Sequence, residues 1–443
     1  MRVVIIGAVA AGMSAAAKLK RIKPDYHVVV YEKTDIVSFG ACGLPYFVGD
    51  FFQNSNMMIA REKSKFIESG IDLRTFKEVI NVDTLNKKLT IKDTITEEIF
   101  EDNYDKLMIA TGASSIMPSL DKNYENLTTL KDMNDGIKLK ELINKDDVKN
   151  IVIVGSGFIG IETIEAAKKL NKNIHLIGRS NRILSKVFDK EITDLLEEEL
   201  RNNNIHLHLG ETVQKYLGNN KIEKVITNKG EINADLVIIA IGVEPNTQFL
   251  KNTDINMLPN GAIIVDECGR TSIEDVYSAG DCASIKNLIT NEDMYAPLAT
   301  GANKLGRIVG ENLGGINSSF PGSLASSCIK VLNMEAAATG LTEQKANDLN
   351  IDYKTKVVTN YNQTHYYPGR EKLTIKLIYN ANTKVILGGQ IAGYKDAVQR
   401  TNVLATAITA KMTTAQLGML DLCYAPPFAT TWDILNIAGN VSK

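Results

Sequence analysis

Cys42 is a candidate reactive side chain, because the sequence places its thiol among small neighbours. It lies in the segment SFGACGLPY at 38–46, shortly after an apolar strand that ends at Glu32. A thiol reacts as its thiolate, and the pKa of a cysteine falls near a helix N-terminus or a positive charge. The small residues on both sides of Cys42 would let a planar ring approach the sulfur. Taken alone, the segment fits an inert buried cysteine better, so the elements around it decide its interpretation.

The N-terminal segment predicts a strand, a glycine turn and a helix that together bind a dinucleotide. Residues 2–7 read RVVIIG, a composition typical of a buried parallel strand. The turn closes at Gly12 and leads into an alanine-rich helix at about 12–23, and the next strand ends at Glu32, twenty residues after Gly12. In this arrangement a pyrophosphate lies at the helix N-terminus and the acid binds a ribose hydroxyl. The motif is imperfect, because Val9 stands where a second glycine is expected.

A second and complete glycine fingerprint begins after the apolar strand 151–154. The sequence GSGFIGIE at 155–162 is flanked by that strand and by a predicted helix at about 158–170. This is the stronger of the two fingerprints, and it predicts a second dinucleotide site with the same strand–turn–helix geometry.

The residues after the next strand bear on which nicotinamide nucleotide would bind there. The strand 174–177 ends at Gly178, where an acid would favour NAD. Arg179, Ser180 and Arg182 instead offer cations and a hydroxyl for a 2′-phosphate. The sequence therefore favours NADPH. The alternative is a solvated loop that happens to carry arginines, and the use of NADH stays open.

Two further motifs predict how the chain is divided. The strands that end in ATG at 110–112 and in AIG at 240–242 each close a nucleotide-binding unit. The strand before Gly280 and Asp281 would place a carboxylate on a ribityl hydroxyl, with a helix N-terminus near a pyrophosphate. The first nucleotide-binding domain is therefore split by insertion of the second. The predicted boundaries are 1–112 with 250–320 for the first domain and 113–249 for the second.

The pattern changes beyond Pro321, where no third glycine fingerprint follows. Alternating strands, for example 373–379, and two helices at about 394–411 and 413–420 predict an α+β domain over 321–443. The predicted fold class is therefore α/β, with two Rossmann-like dinucleotide-binding domains, one split by insertion of the other, and a C-terminal α+β domain.

Composition argues against several classes of protein. A net charge of −2 gives no drive toward nucleic acid or an anionic membrane, and no apolar run is long enough to span a bilayer. The five cysteines, at 42, 268, 282, 328 and 423, form no CxxC pair, which argues against a zinc site and a disulfide framework and favours a reducing cytoplasm. The histidines show no metal-ligand spacing with acidic partners. We expect no metal, and we expect the four cysteines other than Cys42 to be buried and unreactive.

The order of these motifs resembles that of the flavoprotein pyridine nucleotide–disulfide oxidoreductases. The resemblance covers nearly the whole chain: the first fingerprint, Glu32, SFGACGLPYFVG, ATG, the second fingerprint and YSAGDC at 277–282. A single cysteine without a CxxxxC partner resembles the branch that contains coenzyme A-disulfide reductase, NADH oxidase and NADH peroxidase. The family implies FAD in the first site, NAD(P)H in the second, and a C-terminal dimerisation domain that forms a homodimer.

The resemblance also implies which residues contact the two nucleotides. They lie in the glycine turns, at the strand ends beside those turns, and after the strands that close each unit. The candidate cofactor-binding residues are Gly7, Gly12, Glu32, Lys33, Val79, Ala110, Thr111, Gly112, Gly155, Gly157, Gly160, Glu162, Arg179, Ser180, Gly242, Gly280 and Asp281.

Two tyrosine-bearing motifs resemble those of coenzyme A-disulfide reductases. They are HYYPG at 365–369 and CYAPPF at 423–428. In that family such tyrosines reach the active site of the partner subunit and donate a proton to a leaving thiolate. The resemblance implies Cys42, Tyr366 and Tyr424 as catalytic residues, with Tyr367 as the alternative to Tyr366.

The first helix adds a candidate substrate surface. Ser14, Lys18 and Arg21 are spaced i, i+4 and i+7, so they share one helical face. Coenzyme A carries several phosphate charges, which a hydroxyl and two cations on one face could receive. The family match adds Ser38 and Asn303 as candidate substrate contacts. The alternative is that the two cations belong to a solvated face.

Two departures from the family bear on the reaction. Ala10 stands where oxidase and peroxidase members carry a histidine, and Ala41 stands where members with coenzyme A-disulfide chemistry often carry an asparagine. We therefore predict a flavoprotein that uses NAD(P)H to reduce coenzyme A disulfide, or a related disulfide, through Cys42. Three alternatives stay open: an oxidase or peroxidase that cycles Cys42 through sulfenic acid, a coenzyme A persulfide or polysulfide reductase, and an NAD(P)H-gated redox sensor.

Overall fold

Five parallel strands form the first sheet of the computed structural model, which describes residues 1–119 and 123–443. Val276–Ser278 pairs with Lys106–Ile109, so segments far apart in the chain share this sheet. The side chains from Val3 to Ile5 in the central strand are fully buried, as expected for a strand that is covered on both faces. In spatial order the strands are Val276–Ser278, Lys106–Ile109, Arg2–Ile6, His27–Tyr31 and Asp72–Arg74.

The helix after the first glycine turn lies against a helix from much later in the chain. Ala10–Ile22 packs on Ala299–Leu313. The close approach requires glycine, because a Cβ at Gly306 would lie 2.5 Å from the carbonyl oxygen of Ala11. These two helices form one wall of the cleft that contains the candidate site.

The second sheet is also parallel, and the segment between the two halves of the first sheet builds it. Asn150–Val154 lies in its centre and Phe158–Lys169 follows directly, as the second fingerprint predicts. The inserted segment begins with the strand Ala113–Ser115 and ends with the strand Val243–Pro245. These two strands pair antiparallel. In spatial order the strands of the sheet are His206–Leu209, Asn173–Gly178, Asn150–Val154, Leu236–Ile239 and Leu127–Thr128. This arrangement supports the split first domain, whose boundaries stay a prediction.

Short antiparallel strands and further helices complete the two nucleotide-binding halves. The strands are Lys77–Asp83, Lys88–Asp93, Ile99–Asn103, Val213–Leu217, Lys224–Thr227, Glu231–Asn233, Ile285–Lys286 and Asp293–Met294. The helices are Leu44–Val48, Lys63–Glu68, Met133–Ile143 and Lys190–Asn202, with 3-10 turns at Ala41–Gly43, Ser55–Met58 and Gln248–Leu250. Within the described ranges, no helix has both the length and the apolar character needed to cross a membrane.

An antiparallel sheet of five strands forms the C-terminal part of the chain. In spatial order its strands are Ser327–Val331, Met334–Gly340, Ile386–Gly393, Lys372–Asn380 and Tyr353–Tyr361. The sequence predicted the helices Ala397–Thr409 and Thr414–Gly418 but missed Glu343–Asp348 and Ile434–Val441. The missed helices have six and eight residues, which is too short for a helical period to be read with certainty.

A buried lysine ties the C-terminal domain to the second nucleotide-binding half. Lys376 is 1% exposed, and its ammonium donates to Glu191 at 2.7 Å and to Glu343 at 2.5 Å. Asp189 lies 3.5 Å away and accepts a hydrogen bond from the Gln390 amide at 2.8 Å. A buried charge is tolerated when it is paired and hydrogen-bonded, so this network fixes how the two parts of the chain meet.

Two of the four remaining cysteines are exposed, and the prediction that all four are buried is wrong for them. Cys268 and Cys282 are buried, whereas Cys328 and Cys423 are exposed. Cys328 occupies the edge strand Ser327–Val331, where alternate side chains face outward. Cys423 lies in a segment without helix or strand. The sequence around a single cysteine has no pattern that separates a buried position from an exposed one.

Three histidines stack on the outer half of the second sheet. The rings of His175 and His206 lie 4.6 Å apart, and Nδ1 of His175 lies 3.0 Å from Nε2 of His208. Glu211 lies 3.6 Å from His208. Burial and the two neighbouring imidazoles lower the pKa of His175 to about 4. In the part of the chain that the structure describes, no group of three His, Cys, Asp or Glu side chains could hold a metal ion.

The free energy of unfolding is expected to fall as the pH drops from 6.5 to about 4 because of His175. The folded pKa lies below the ordinary value, so the unfolded chain binds the extra proton in this window and acid favours unfolding. We expect a contribution of about 2 kcal/mol after allowance for solvent screening. Urea unfolding measures the free energy of unfolding at about pH 7.5 and at about pH 5. The decrease between these two pH values should be smaller for His175→Gln than for the wild type. Equal losses in both proteins would contradict the prediction.

Candidate active site

The first glycine turn closes so tightly that no side chain fits at Gly7 or Gly12. A Cβ at Gly7, whose φ is +103°, would lie 2.2 Å from the carbonyl oxygen of Ala110. A Cβ at Gly12 would lie 1.9 Å from the carbonyl oxygen of Gly7. Val9, at the imperfect position of the motif, is the N-cap residue of Ala10–Ile22. The first N–H groups of this helix have no intrahelical partner, which fits a pyrophosphate at the turn.

Glu32 is fixed at the end of its strand beside this turn. It is 8% exposed, and its Oε2 accepts from the N–H of Ala8 at 3.0 Å. Its Oε1 accepts from the N–H of Thr34 at 3.0 Å and from the Thr34 hydroxyl at 2.9 Å. Carboxylate oxygens have further acceptor capacity, so the acid still fits a ribose hydroxyl. Lys33 is exposed, whereas the Val79 side chain is buried in the core and leaves only its backbone for a nucleotide.

The second glycine turn repeats the geometry of the first. A Cβ at Gly155, whose φ is +122°, would lie 2.1 Å from the carbonyl oxygen of Ala240, and one at Gly160 would lie 2.0 Å from the Gly155 carbonyl oxygen. A Cβ at Gly157 would meet nothing within 4 Å. The space at the N-terminus of Phe158–Lys169 is therefore open, which fits a second pyrophosphate.

The residues that close each unit lie beside the two turns. Thr111 donates its hydroxyl to the carbonyl oxygen of Asn246 at 2.7 Å, and the N–H of Asn246 donates to Gly112 at 2.9 Å. Gly242, with φ of +130°, lies just past Leu236–Ile239. These bonds link the ends of the inserted segment to the wall of the first nucleotide site.

Asp281 is held by a lysine that the sequence reasoning missed. Nζ of Lys131 donates to Oδ2 of Asp281 at 2.9 Å, and the Tyr295 hydroxyl donates to the carbonyl oxygen of Asp281 at 3.0 Å. Gly280 before it has φ of +91°. Lys131 belongs to the inserted segment, so no local motif connects it with an acid 150 residues later.

The loop after the second strand of the inserted unit lies directly against its glycine turn. The N–H of Leu184 donates to the carbonyl oxygen of Ser156 at 2.8 Å. Arg179 and Ser180 are exposed at the start of this loop. Arg182 has a buried guanidinium nitrogen, Nη1, without a hydrogen-bond partner. An unsatisfied cation beside a phosphate-binding turn fits an anionic ligand, so the residues present fit a nicotinamide nucleotide here.

Cys42 lies in the 3-10 turn Ala41–Gly43, which leads into the helix Leu44–Val48. Ser38 has a φ of +54°, and its N–H donates to the carbonyl oxygen of Ala8 at 2.8 Å. This bond fastens the cysteine-bearing segment to the first glycine turn. The thiol is exposed and lines a cleft of about 570 Å³.

The cleft is where the predicted substrate contacts meet. All five of them line it together with the cysteine and one of the predicted cofactor contacts. The predicted residues in its wall are Ser14, Lys18, Arg21, Ser38, Cys42, Asp281 and Asn303. Arg61, Lys131 and Arg307 add three cations that sequence reasoning missed. None of these three belongs to a recognisable motif, and only the fold brings them together.

The surroundings of Cys42 do not favour its thiolate. Although Cys42 is accessible from the cleft, partial desolvation by the cleft walls raises the pKa of its thiol most, Glu162 and Asp281 raise it further, and Lys131 lowers it. The helix that follows has only five residues, so its dipole offsets little of this effect. The protein alone therefore holds Cys42 as a thiol, and a reactive thiolate needs positive charge or hydrogen bonds from a bound group.

Glu162 is a largely buried carboxyl at the second glycine turn. Burial, together with the neighbouring Glu165, raises its pKa to about 7. Its charge adds to the effect of burial in raising the pKa of Cys42, Tyr46 and Cys328. A carboxyl that changes charge near neutral pH beside a thiol is typical of a functional site.

One of the predicted phosphate ligands is already paired. Nζ of Lys18 lies 2.9 Å from Oε1 of Glu311, so its charge is shared and not free as the helix face alone suggested. The Ser14 hydroxyl donates to Oδ1 of Asn303 at 2.8 Å, across 289 residues of sequence. Arg21 is exposed at the end of the same face.

Tyr366 and Tyr424 meet on a surface outside the cleft of their own chain. Their hydroxyl oxygens lie 3.4 Å apart, and the two residues are 65% and 45% exposed. This contact favours Tyr366 over Tyr367 as the partner of Tyr424. Phe428 and Trp432 are exposed nearby in sequence. A short segment that carries several exposed aromatic side chains is typical of an interaction surface.

Two dinucleotide turns and a cysteine in a cleft beside the first of them define a class of α/β redox proteins. Residues 1–304 match the family described as pyridine nucleotide-disulphide oxidoreductase, and residues 326–434 match the dimerisation domain of that family. The chain belongs to the pyridine nucleotide-disulphide oxidoreductases, which use a flavin and NAD(P)H. The resemblance inferred from the sequence is confirmed, and so is the predicted fold class.

Relatives of known name carry three different activities. The chain is 38% identical to the NAD(P)H coenzyme A polysulfide/persulfide reductase of Pyrococcus horikoshii, over 100% of this chain and 98% of that protein. It is 33% identical to the NADH oxidase of Enterococcus faecalis, over 100% and 99% of the two chains. It is 28% identical to the coenzyme A disulfide reductase of Staphylococcus aureus, over 100% of both. The particular reaction therefore has to be argued from the site.

Solved structures share the whole fold. An NAD-dependent persulfide reductase from A. fulgidus superposes with a TM-score of 0.96 at 34% identity, over 100% of this chain and 83% of that one. An engineered NADPH oxidase, derived from the Lactobacillus brevis enzyme and bound to NADPH, superposes with a TM-score of 0.95 at 29% identity. The match covers 99% of this chain and 98% of that one. Its substitutions include an acid replaced by alanine and, at the next two positions, a new arginine and a new serine.

Proposed function

We propose that this protein uses NADPH to reduce coenzyme A disulfide to two thiols, with FAD in the first nucleotide site and Cys42 as the reactive thiol. The observation that carries the proposal is the cleft of about 570 Å³, whose wall contains Cys42 together with Lys18, Arg21 and Arg61. A coenzyme A disulfide must present a sulfur–sulfur bond to the thiol and several phosphates to cations. The cleft supplies both kinds of group in one space.

The names of two relatives support coenzyme A as the molecule that carries the sulfur–sulfur bond. Both a persulfide and a disulfide of coenzyme A contain a sulfur–sulfur bond that a thiolate can attack. Coenzyme A persulfide is the second candidate substrate, because a relative with that name is 38% identical to this chain. In that reaction the outer sulfur leaves as sulfide. Oxidase chemistry is disfavoured, since Ala10 at the start of the first helix provides no acid–base imidazole.

The chemistry divides between the cofactor and the protein. When bound, the flavin supplies the electron pair that NADPH delivers as hydride. The Cys42 thiolate attacks one sulfur of coenzyme A disulfide, so that a Cys42–coenzyme A disulfide forms and one coenzyme A thiolate leaves. Two electrons then cleave this second disulfide, release the second coenzyme A and return Cys42 to the thiolate. One proton from solvent and the hydride balance the two thiols that form.

The proton donors come from the partner subunit in this proposal. Tyr366 and Tyr424 form a hydroxyl pair outside the cleft of their own chain, within the segment that matches the dimerisation domain. A symmetric dimer would bring this pair to the Cys42 cleft of the other subunit. There the tyrosines would protonate a leaving thiolate, and the active site is complete only in the homodimer.

The intact mass of the protein purified without reductant tests the proposal. A coenzyme A adduct that peptide mapping places on Cys42, and that reductant removes, is the expected result. NADPH oxidation should then be faster with coenzyme A disulfide than with glutathione disulfide or oxygen. Oxygen adducts on Cys42 with rapid oxygen consumption would overturn the proposal in favour of sulfenic acid chemistry. Faster sulfide release from coenzyme A persulfide would favour the second candidate.

Arg179→Ala is expected to raise the KM for NADPH about tenfold or more, because a guanidinium–phosphate contact contributes about 1.5–3 kcal/mol. The order Gly178-Arg179-Ser180 matches the small residue, arginine and serine of the engineered NADPH oxidase. The KM for NADH should stay within about twofold, since NADH has no 2′-phosphate. Steady-state assays with both nucleotides measure the effect, and Arg270→Ala is the control at an exposed arginine elsewhere. An equal change for both nucleotides would contradict this assignment.

A further inference from the structure

Two cations of the Cys42 cleft, Lys18 and Arg307, lie against one carboxylate that is not part of the cleft wall. Glu311 lies on Ala299–Leu313, and its side chain is 13% exposed. Its Oε1 lies 2.9 Å from Nζ of Lys18 and accepts a long hydrogen bond from Nε of Arg307 at 3.4 Å. Lys18 and Arg307 line the cleft, whereas Glu311 is not among the residues of its wall.

The ion pairs divide the cations of the cleft into two groups. Lys18 and Arg307 share Glu311, and Lys131 is paired with Asp281. Within the described ranges, Arg21 has no ion pair. Arg61 donates to a backbone carbonyl at 3.0 Å and stacks on a phenyl ring at 4.4 Å, which leaves its charge uncompensated. Lys18 and Arg307 together therefore keep one net positive charge beside Glu311, whereas Arg21 and Arg61 each keep a full one.

The carboxyl of Glu311 is ionised at neutral pH. A hydrogen bond from the Ser318 side chain and the bond from Lys18 hold the pKa of Glu311 below its ordinary value. Its negative charge therefore lies behind the cleft wall whenever a phosphorylated ligand enters. A phosphate that approaches Lys18 or Arg307 meets an ammonium and a guanidinium whose fields Glu311 partly cancels.

We propose that Glu311 limits how tightly the cleft holds phosphate groups. It weakens capture at Lys18 and Arg307 and leaves Arg21 and Arg61 as the main phosphate ligands, so that a coenzyme A product is released after each turnover. This inference rests on the proposed coenzyme A substrate. It concerns the affinity for the phosphorylated part of the ligand and not the chemistry at the sulfur.

Glu311→Gln tests the inference, because glutamine keeps the shape and the acceptor oxygen and removes the charge. Calorimetric titration of the reduced holoenzyme should give a Kd for coenzyme A about 3- to 10-fold lower in the variant. The Kd for pantetheine, which lacks the nucleotide phosphates, should not change. The gain should shrink at about 0.5 M salt, where exposed charges are screened. Glu101→Gln removes the same charge from an exposed pair with Lys88, away from the cleft, and is the control.

The outcomes separate this inference from the proposed function. An unchanged or higher Kd for coenzyme A in Glu311→Gln would overturn the inference, and so would an equal change for pantetheine. If the unsubstituted protein bound no coenzyme A, the proposed function would fall and the inference with it. Should Glu311→Gln lose its flavin or fail to fold, Arg21→Gln and Arg307→Gln replace it. The Kd for coenzyme A should rise more in Arg21→Gln than in Arg307→Gln, and an equal or larger rise in Arg307→Gln would overturn the inference.

Discussion

Cys42→Ser is expected to lower the turnover of coenzyme A disulfide by about 10³-fold or more while leaving flavin binding intact. A serine hydroxyl has the same position, but it is neither ionised near neutral pH nor able to form a disulfide. The Cys42 segment contacts the first glycine turn through its backbone, where Ser38 bonds to Ala8 at 2.8 Å. The substitution therefore leaves the turn that would hold the flavin undisturbed.

The measurement combines three readouts on the same protein. The visible absorbance gives the flavin content, steady-state NADPH oxidation gives the turnover, and the intact mass gives the coenzyme A adduct. Cys268→Ser is the matched control, because Cys268 is buried and lies outside the cleft. Full turnover in Cys42→Ser, or loss of the adduct in Cys268→Ser alone, would show that another thiol carries the reaction.

Replacement of the tyrosine pair is expected to have the second-largest effect. Tyr366→Phe and Tyr424→Phe should each lower kcat by about 10²-fold, the usual contribution of a general acid. Their hydroxyl oxygens lie 3.4 Å apart, and the hydrogen bond with Tyr424 is the main cause of a raised pKa at Tyr366. Because the two hydroxyls act as one unit, the double variant should lose little more than either single variant.

Steady-state kcat values and adduct masses measure this effect. The coenzyme A adduct on Cys42 should persist in both variants, since the tyrosines would act after the thiolate attack. Tyr367→Phe is the control within the same motif and should keep nearly full turnover. A large loss in Tyr367→Phe with little loss in Tyr366→Phe would reverse the assignment within HYYPG.

Mixed dimers test whether the site is shared between subunits. Cys42→Ser and Tyr424→Phe subunits, unfolded and refolded together, should form heterodimers that contain one intact site and one doubly defective site. Random pairing makes about half of the molecules heterodimers, so about a quarter of wild-type turnover should return. If each subunit used its own tyrosines, the mixture would be no more active than the average of its parents.

The nucleotide sites show how much local sequence reveals. Each consists of one strand, one turn and one helix that are contiguous in the chain, so glycine spacing and apolar runs were enough to predict them. The clashes that a Cβ would cause at Gly12 and Gly160 give the physical reason for the motif. The short C-terminal helices escaped prediction because six or eight residues carry too little periodicity.

The sequence by itself determined the fold class, the family, the two glycine turns and Cys42 as the candidate reactive group, because these depend on residues near one another in the chain. Only the tertiary structure decided what surrounds the thiol. Ser14 bonds to Asn303 across 289 residues, and Lys18 shares its charge with Glu311. Lys131 reaches Asp281 from another segment. Such pairs leave no periodic signal, because their members lie far apart in the sequence. Contact and burial set the effective charges of these side chains, and only the folded chain fixes contact and burial.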